Sequence, residues 1–202
     1  HDTAAHYKYY PFVNFGHFAL YPHVDRAFQD TLAGYYRIGI EQCLQRAQKN
    51  AYQNGTPFIW CSNNLNTALI TQIILYEQMT GDRRYHDLML THRDWLFGRN
   101  PWGTSMFTGM PQGSEWPLDV HTSVWRLSKR VVSGGLVDGP VYGKIYRKLI
   151  GLTLFEADEF AAFQNEYVVY HDDAGDYSTN EPTMDGTAGA VLLMAYFAQG
   201  GR

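Results

Sequence analysis

The chain has 202 residues, with 16 Lys and Arg against 20 Asp and Glu and a formal net charge of -4. That length suits one domain or part of a larger one, and 45% hydrophobic against 18% charged residues is enough for a sizeable core and argues against disorder. The mild acidity excludes an electrostatic case for nucleic acid or an anionic membrane, and the longest apolar run, residues 190–198, is too short to span a bilayer.

The N-terminal stretch to Val24 is aromatic and irregular (Tyr7, Tyr9, Tyr10, Phe12, Phe15, Phe18, Tyr21) and predicts a packed loop or a short helix. Asp25 is a suitable cap for a helix over 26–51, whose apolar spacing runs through Phe28, Leu32, Tyr35, Cys43, Leu44 and Ala47. Asn54-Gly55-Thr56-Pro57 breaks the chain. A second helix is predicted over 64–79, with Leu65, Leu69, Ile73 and Tyr76 on its face and Gly81 as a left-handed C-cap. A third, begun by Asp82, runs over 83–97 with Tyr85, Leu88, His92, Trp95 and Leu96 on one side. Residues 98–138 form a long Gly- and Pro-containing segment, and loops of that length are usually functional or disordered. Its aromatics, Trp102, Phe107, Trp116 and Trp125, argue against disorder.

Pro140 is placed to open a fourth helix to about 163, and Pro182 fits the first turn of a last helix over 182–198. Strand-like alternation is weak, with residues 167–170 the best candidate, and there is no βαβ rhythm. The expectation is all-α, helices joined by long loops. Cys43 and Cys61 lack metal-site spacing; Cys43 lies on an apolar helix face, which suits a buried thiol, and a bridge between them stays open. The sequence opens at His1 without Met, as expected of a processed or excised chain.

Chemistry concentrates in Tyr170-His171-Asp172-Asp173-Ala174-Gly175-Asp176-Tyr177-Ser178-Thr179-Asn180-Glu181, where four acids fall within 172–181. Crowded carboxylates repel when ionised and occur where a cation, a hydroxyl network or proton transfer uses them. The same composition also suits a solvated acidic loop or a helix N-cap.

This segment resembles the C-terminal catalytic signature of glycoside hydrolase family 9, the cellulase and endoglucanase family: Tyr170, Asp172, Tyr177 and Glu181 fall on its pattern in register. Residues 96–109, Leu-Phe-Gly-Arg-Asn-Pro-Trp-Gly-Thr-Ser-Met-Phe-Thr-Gly, are similar to a second family motif. So are residues 134–140, and Trp60-Cys61-Ser62-Asn63-Asn64 followed by Tyr76 and Thr80-Gly81-Asp82. The chain departs from the family where Ser123 stands in place of a sugar-binding Arg two residues after His121, and Ala174 in place of another Arg.

The resemblance implies about half of an (α/α)6 barrel, with residues 1–202 as the C-terminal half of a catalytic domain. It implies hydrolysis of β-1,4-linked glycans by inversion, with Glu181 as general acid. The base would be supplied by an N-terminal half as a second chain or missing segment. It further implies a secreted or periplasmic setting. His121 and Trp116 are expected to touch sugar, with Asp172, Asp176 and Tyr177 as further substrate-binding residues. Asp173-Ala174-Gly175-Asp176 matches the family's base motif, but at the wrong end of the chain, so Asp176 is read as an orienting or hydroxyl-binding carboxylate. For Glu181 to stay protonated, neighbouring carboxylates and partial burial beside Tyr177 must outweigh a helix N-terminus. No cofactor is expected; the family sometimes carries Ca²⁺, but no dedicated ligand loop is present. Competing readings are a noncatalytic carbohydrate-binding protein, an exo-acting glucosaminidase-type relative and a polysaccharide lyase. The last lacks a basic cluster near the acidic segment.

Overall fold

The computed structural model describes residues 11–200. Five helices of ten residues or more form its frame: α1 (Pro11–Leu20), α2 (Arg26–Ala47), α3 (Ser62–Thr80), α4 (His86–Leu96) and, last in the chain, α7 (Met184–Ala198). Between α4 and α7 come only short pieces: α5 (Ser123–Ser128), β1 (Val141–Tyr142), α6 (Gly143–Tyr146), a 3₁₀ turn (Ala161–Phe163) and β2 (Val168–Val169). The aromatic N-terminal stretch is helical from Pro11 and ends in a 3₁₀ turn at Tyr21–His23, while Tyr7, Tyr9 and Tyr10 lie outside the described residues.

Helix α3 is the axis of the packing. It meets α1, α2, α4 and α7, and every residue from Leu65 to Glu77 is buried. The polar side chains of a helix so enclosed find what partners they have inside the protein, and Asn66 Nδ2 and Gln72 Oε1 have none among the described residues. Gln72 Nε2 donates to the Tyr36 carbonyl at 3.0 Å, and Asn66 Oδ1 accepts from the Thr56 hydroxyl at 3.0 Å. Gly81 ends α3 in the left-handed conformation, φ 73°, as the sequence predicts.

Asp25 caps α2, accepting from the Phe28 N–H at 2.9 Å. The buried face of α2 is Leu32, Tyr36, Ile40, Cys43 and Ala47. Phe28 is exposed instead, and Tyr35 is only partly buried. All five residues predicted for the face of α4 or its entrance, Tyr85, Leu88, His92, Trp95 and Leu96, are buried. The helix starts at His86 rather than beside Asp82, whose carboxylate accepts from the Tyr76 hydroxyl at 2.9 Å and pairs with Arg84 at 2.6 Å. Cys43 is fully buried, and Cys61, half-buried, is a free thiol.

The predicted helix over 140–163 does not form. Val141–Tyr142 pair antiparallel with Val168–Val169, α6 lasts four residues, and Gly151 turns the chain with φ 78°. The N–H groups of Phe155 and Glu156, which a helix would spend on preceding carbonyls, donate to Asp173 Oδ2 at 2.8 and 2.9 Å. Tertiary acceptors replaced the helical ones. Pro182 likewise does not start α7. It forms an isolated bridge with Val137, and Thr183 is the N-cap.

One close approach fixes the link between α2 and α3. A Cβ at Gly55 would lie 2.4 Å from the Cys43 carbonyl oxygen, and the Gly55 N–H donates to His92 Nε2 at 2.8 Å. Gly55→Ala is therefore expected to lower unfolding free energy by roughly 1–3 kcal/mol, the usual scale for overpacking; unchanged denaturation midpoints would contradict the contact. His92 must be neutral to accept that bond, and burial pushes its pKa down to about 4, against the Leu88 carbonyl bond that raises it. An unfolded histidine titrates near about 6.5. The neutral-histidine contribution is therefore intact above that pH and is lost as pH falls toward the folded value. Urea midpoints are expected to drop across that window, with the drop reduced in His92→Gln.

Candidate functional site

Three motifs that are distant in sequence meet by short backbone bridges. Phe107 pairs with Leu136, and Val137 pairs with Pro182. The Asp138 N–H donates to the Glu181 carbonyl at 2.9 Å, and the Gly139 N–H to the Thr179 carbonyl at 3.0 Å. A fourth motif locks on from the start of α3. Asn63 donates its N–H to the Asp138 carbonyl and its side-chain amide to the Val137 carbonyl, both at 2.9 Å. Gly139, at φ 86°, leaves room for this: a Cβ there would sit 2.4 Å from the Asn63 amide. Asn100 holds the turn after α4, donating to the carbonyls of Trp95 and Thr104.

The four acids of the 172–181 segment have different fates. Asp172 accepts from the N–H groups of Leu118 (2.6 Å) and Asp119 (3.0 Å) and from the Asn180 amide (3.0 Å). Burial raises its pKa, against the lowering effect of those donors. Asp173 takes Phe155 and Glu156 on one oxygen and the Gly175 N–H, at 2.6 Å, on the other. Asp176 is fully buried. It accepts from the Ser178 N–H (2.8 Å) and hydroxyl (2.6 Å), the Thr179 hydroxyl (2.9 Å) and His171 Nδ1 (2.8 Å). Burial pushes its carboxyl up, but the bonds from His171 and Ser178 outweigh that and hold it below its ordinary value. These aspartates are internal acceptors for a loop without regular structure, and the Asp176 carboxylate has no exposed surface left for a sugar hydroxyl.

Glu181 differs. Its side chain is exposed, so the expected partial burial beside Tyr177 is not found. It lines an open cleft of about 330 Å³ with His121, Thr122, Ser123, Arg126 and Pro182. His121 Nδ1 donates to the Ala174 carbonyl at 2.6 Å, since a carbonyl only accepts, and its own N–H donates to the Asn180 carbonyl at 3.0 Å. Tyr177 meets the His121 ring edge-on at 6.2 Å and stacks with Trp60 at 6.0 Å and 16°.

Trp60 is 45% exposed. It was legible as a motif residue but not as a neighbour of the acidic loop. Trp116 is half-buried and outside the cleft lining, while Trp102 and Trp125 are buried in the core. Arg126 was also missed. It stands one helical turn after Ser123, on the same face of α5, so a basic side chain reaches the cleft from three residues further on. Among the described residues no group of three or more His, Cys, Asp or Glu is placed to hold a metal ion, and no helix is long and apolar enough to cross a membrane.

This arrangement can be set against known proteins. No curated protein sequence matches the chain significantly. A metagenome-derived glycoside hydrolase family 9 endoglucanase superposes with a TM-score of 0.67 and 25% identity over 86% of this chain and 30% of its own. The family 9 endoglucanase J30 gives 0.67 and 24%, over 87% and 32%. A thermostable endoglucanase mutant from Alicyclobacillus acidocaldarius gives 0.65 and 24%, over 85% and 32%. The chain thus spans about a third of these relatives, and its helices form part of their (α/α)6 barrel. Residues 5–194 match the glycosyl hydrolase family 9 profile, and the chain belongs to that family.

Proposed function

We propose that this chain supplies the acid side of an inverting glycoside hydrolase active site that cleaves β-1,4-linked glucan of the cellulose type, with Glu181 as general acid. One observation carries the reading. Of the four carboxyls in the signature segment, Asp172, Asp173 and Asp176 are engaged by internal donors, and Glu181 alone is presented to an open cleft. Inversion uses two carboxyls about 6.5–9.5 Å apart, one donating to the leaving oxygen and one activating water on the opposite face. The protonated Glu181 gives its proton to the glycosidic oxygen as the C1–O bond breaks. Water adds to C1 from the other side, and its proton passes to the base.

No second acid lines the Glu181 cleft, so the base comes from outside the residues described, from an N-terminal half. Two features support that partner. The family relatives are about three times as long. Helix α7 also leaves Met184 and Val191 at 88% and 66% exposure, apolar surface suited to further packing. His121, Arg126 and the Trp60–Tyr177 pair are the sugar contacts in this reading: a ring donor, a guanidinium replacing the missing arginine, and an aromatic platform. A secreted or periplasmic location follows from the polymeric substrate. A noncatalytic carbohydrate-binding role is the second reading, favoured by the single acid in the cleft.

In the complete enzyme, Glu181→Gln is expected to cut kcat on β-1,4-glucan by about 10²–10⁴-fold while oligosaccharide binding persists. Product anomers read by NMR should be inverted; near-normal turnover would remove Glu181 from the acid role. Asp176→Asn is expected to cost roughly 2–4 kcal/mol, because it leaves His171 and the hydroxyls facing a half-competent acceptor. Asp176 titrates lower folded than unfolded, so its contribution is present above about pH 4 and lost as pH falls through the depressed folded value. The stability gap between wild type and variant should narrow in acid. A variant of unchanged stability but lost sugar affinity would instead return Asp176 to a substrate-binding role.

A further inference from the structure

Arg126 is an exposed side chain on the six-residue helix α5. A long side chain so placed ordinarily samples many rotamers. Ion pairs fix Arg26, Arg83, Arg84, Arg93 and Arg147, and Arg126 is in none of those among the described residues. Its partner is a ring. The guanidinium carbon lies over Phe155, 4.6 Å from the ring centroid, within the distance at which a cation is drawn to an aromatic face.

Phe155 stands in the irregular run between α6 and the 3₁₀ turn at Ala161–Phe163, and its side chain is exposed. That run is docked on the acidic segment. The N–H groups of Phe155 and Glu156 donate to Asp173 Oδ2 at 2.8 and 2.9 Å. The Tyr177 hydroxyl donates to the Ile150 carbonyl at 2.9 Å. Gly175 lies so close to Thr153 that a Cβ there would collide with the Thr153 carbonyl oxygen. The ring is therefore exposed while the backbone that carries it is held. The same turn holds the other cleft donor, since the Ala174 carbonyl accepts from His121 Nδ1 at 2.6 Å. On the helix side, the Thr122 hydroxyl caps α5 by accepting from the Trp125 N–H at 3.1 Å, and Trp125 is buried. His121 and Arg126 are thus both registered to residues 173–175, one by a hydrogen bond and the other through the Phe155 ring.

We infer that Phe155 is a positioning residue: its ring holds the Arg126 guanidinium in the Glu181 cleft, ready to donate to hydroxyls of the bound glucan. This rests on the reading of Arg126 as a sugar contact. Without the ring, the substrate must order a free side chain as it binds, and that cost falls on affinity rather than on bond cleavage.

The experiment is steady-state kinetics of the complete enzyme on β-1,4-linked glucose oligomers, in wild type, Phe155→Leu, Phe155→Tyr, Arg126→Gln, the Phe155→Leu/Arg126→Gln double variant and Glu181→Gln. Arg126→Gln is expected to raise KM about 10-fold with kcat little changed. Phe155→Leu should raise KM about 2–5-fold, the scale of an exposed cation–ring contact, and Phe155→Tyr should restore it. In the Arg126→Gln background, Phe155→Leu should raise KM no further, because no guanidinium is left to hold. A ring that served packing alone would have the same effect in both backgrounds. An unmoved KM in Phe155→Leu, an undiminished effect in the double variant, or a Phe155→Tyr enzyme as impaired as Phe155→Leu overturns the proposal. Should Phe155→Leu not fold, Phe155→Met takes its place with the same outcomes. An unmoved KM in Arg126→Gln overturns the sugar contact and the proposal with it, whereas a raised KM there beside an unmoved one in Phe155→Leu overturns only the positioning. Retained turnover in Glu181→Gln overturns the acid assignment alone. Absence of wild-type turnover on these oligomers overturns the glucan reading and this proposal together.

Discussion

The site depends on aspartate side chains accepting backbone N–H groups that no helix or sheet satisfies. A buried N–H without an acceptor costs of the order of a hydrogen bond or more, and the segments around residues 118, 155 and 178 are too irregular to pair among themselves. Asp172, Asp173 and Asp176 each anchor one of them. Charged acceptors make stronger bonds than carbonyls do, so a loop without regular structure is held firmly enough to present Glu181.

The same constraint sorts four acids of one segment into two kinds. A carboxylate surrounded by donors is stabilised as an anion and has little use as a proton donor near neutral pH, as the depressed Asp176 illustrates. A carboxyl kept out of that network retains a free face. Glu181 is out of it because its backbone, rather than its side chain, makes the structural bond, to Asp138. Position in the chain is thereby separated from the chemistry of the side chain, and the cleft receives a carboxyl that the loop's hydrogen bonds leave uncommitted.

Around this loop the helices act as a fixed support. Helix α3 is buried from Leu65 to Glu77, and its first turn reaches the site through Ser62 and Asn63, which bond the Pro140 and Val137 carbonyls. Rigid packing in the core is thus transmitted to the loops by a few side-chain bonds to backbone, at positions where Gly55 and Gly139 allow the chains to approach more closely than a Cβ permits.

Much of this was legible from residue order. The helices, the Asp25 and Gly81 caps, the buried faces of α3 and α4, and the importance of the 170–181 segment follow from periodicity, capping chemistry and a motif series, because those signals are local in the chain. What the sequence could not settle is long-range. The helix expected over 140–163 gives way because its N–H groups find Asp173 and its first residues find β2, acceptors that only folding brings near. Asp176 looks the same on paper as a sugar-binding carboxylate, and becomes a loop anchor only when Ser178, Thr179 and His171 close around it. Trp60 reaches the acidic loop by stacking on Tyr177, Arg126 shares the Glu181 cleft, and Asp138 bonds the Glu181 backbone, contacts that only the folded chain makes. Periodicity fixes which face of a helix is apolar, but which donors end up sharing an acceptor is decided by distances in space.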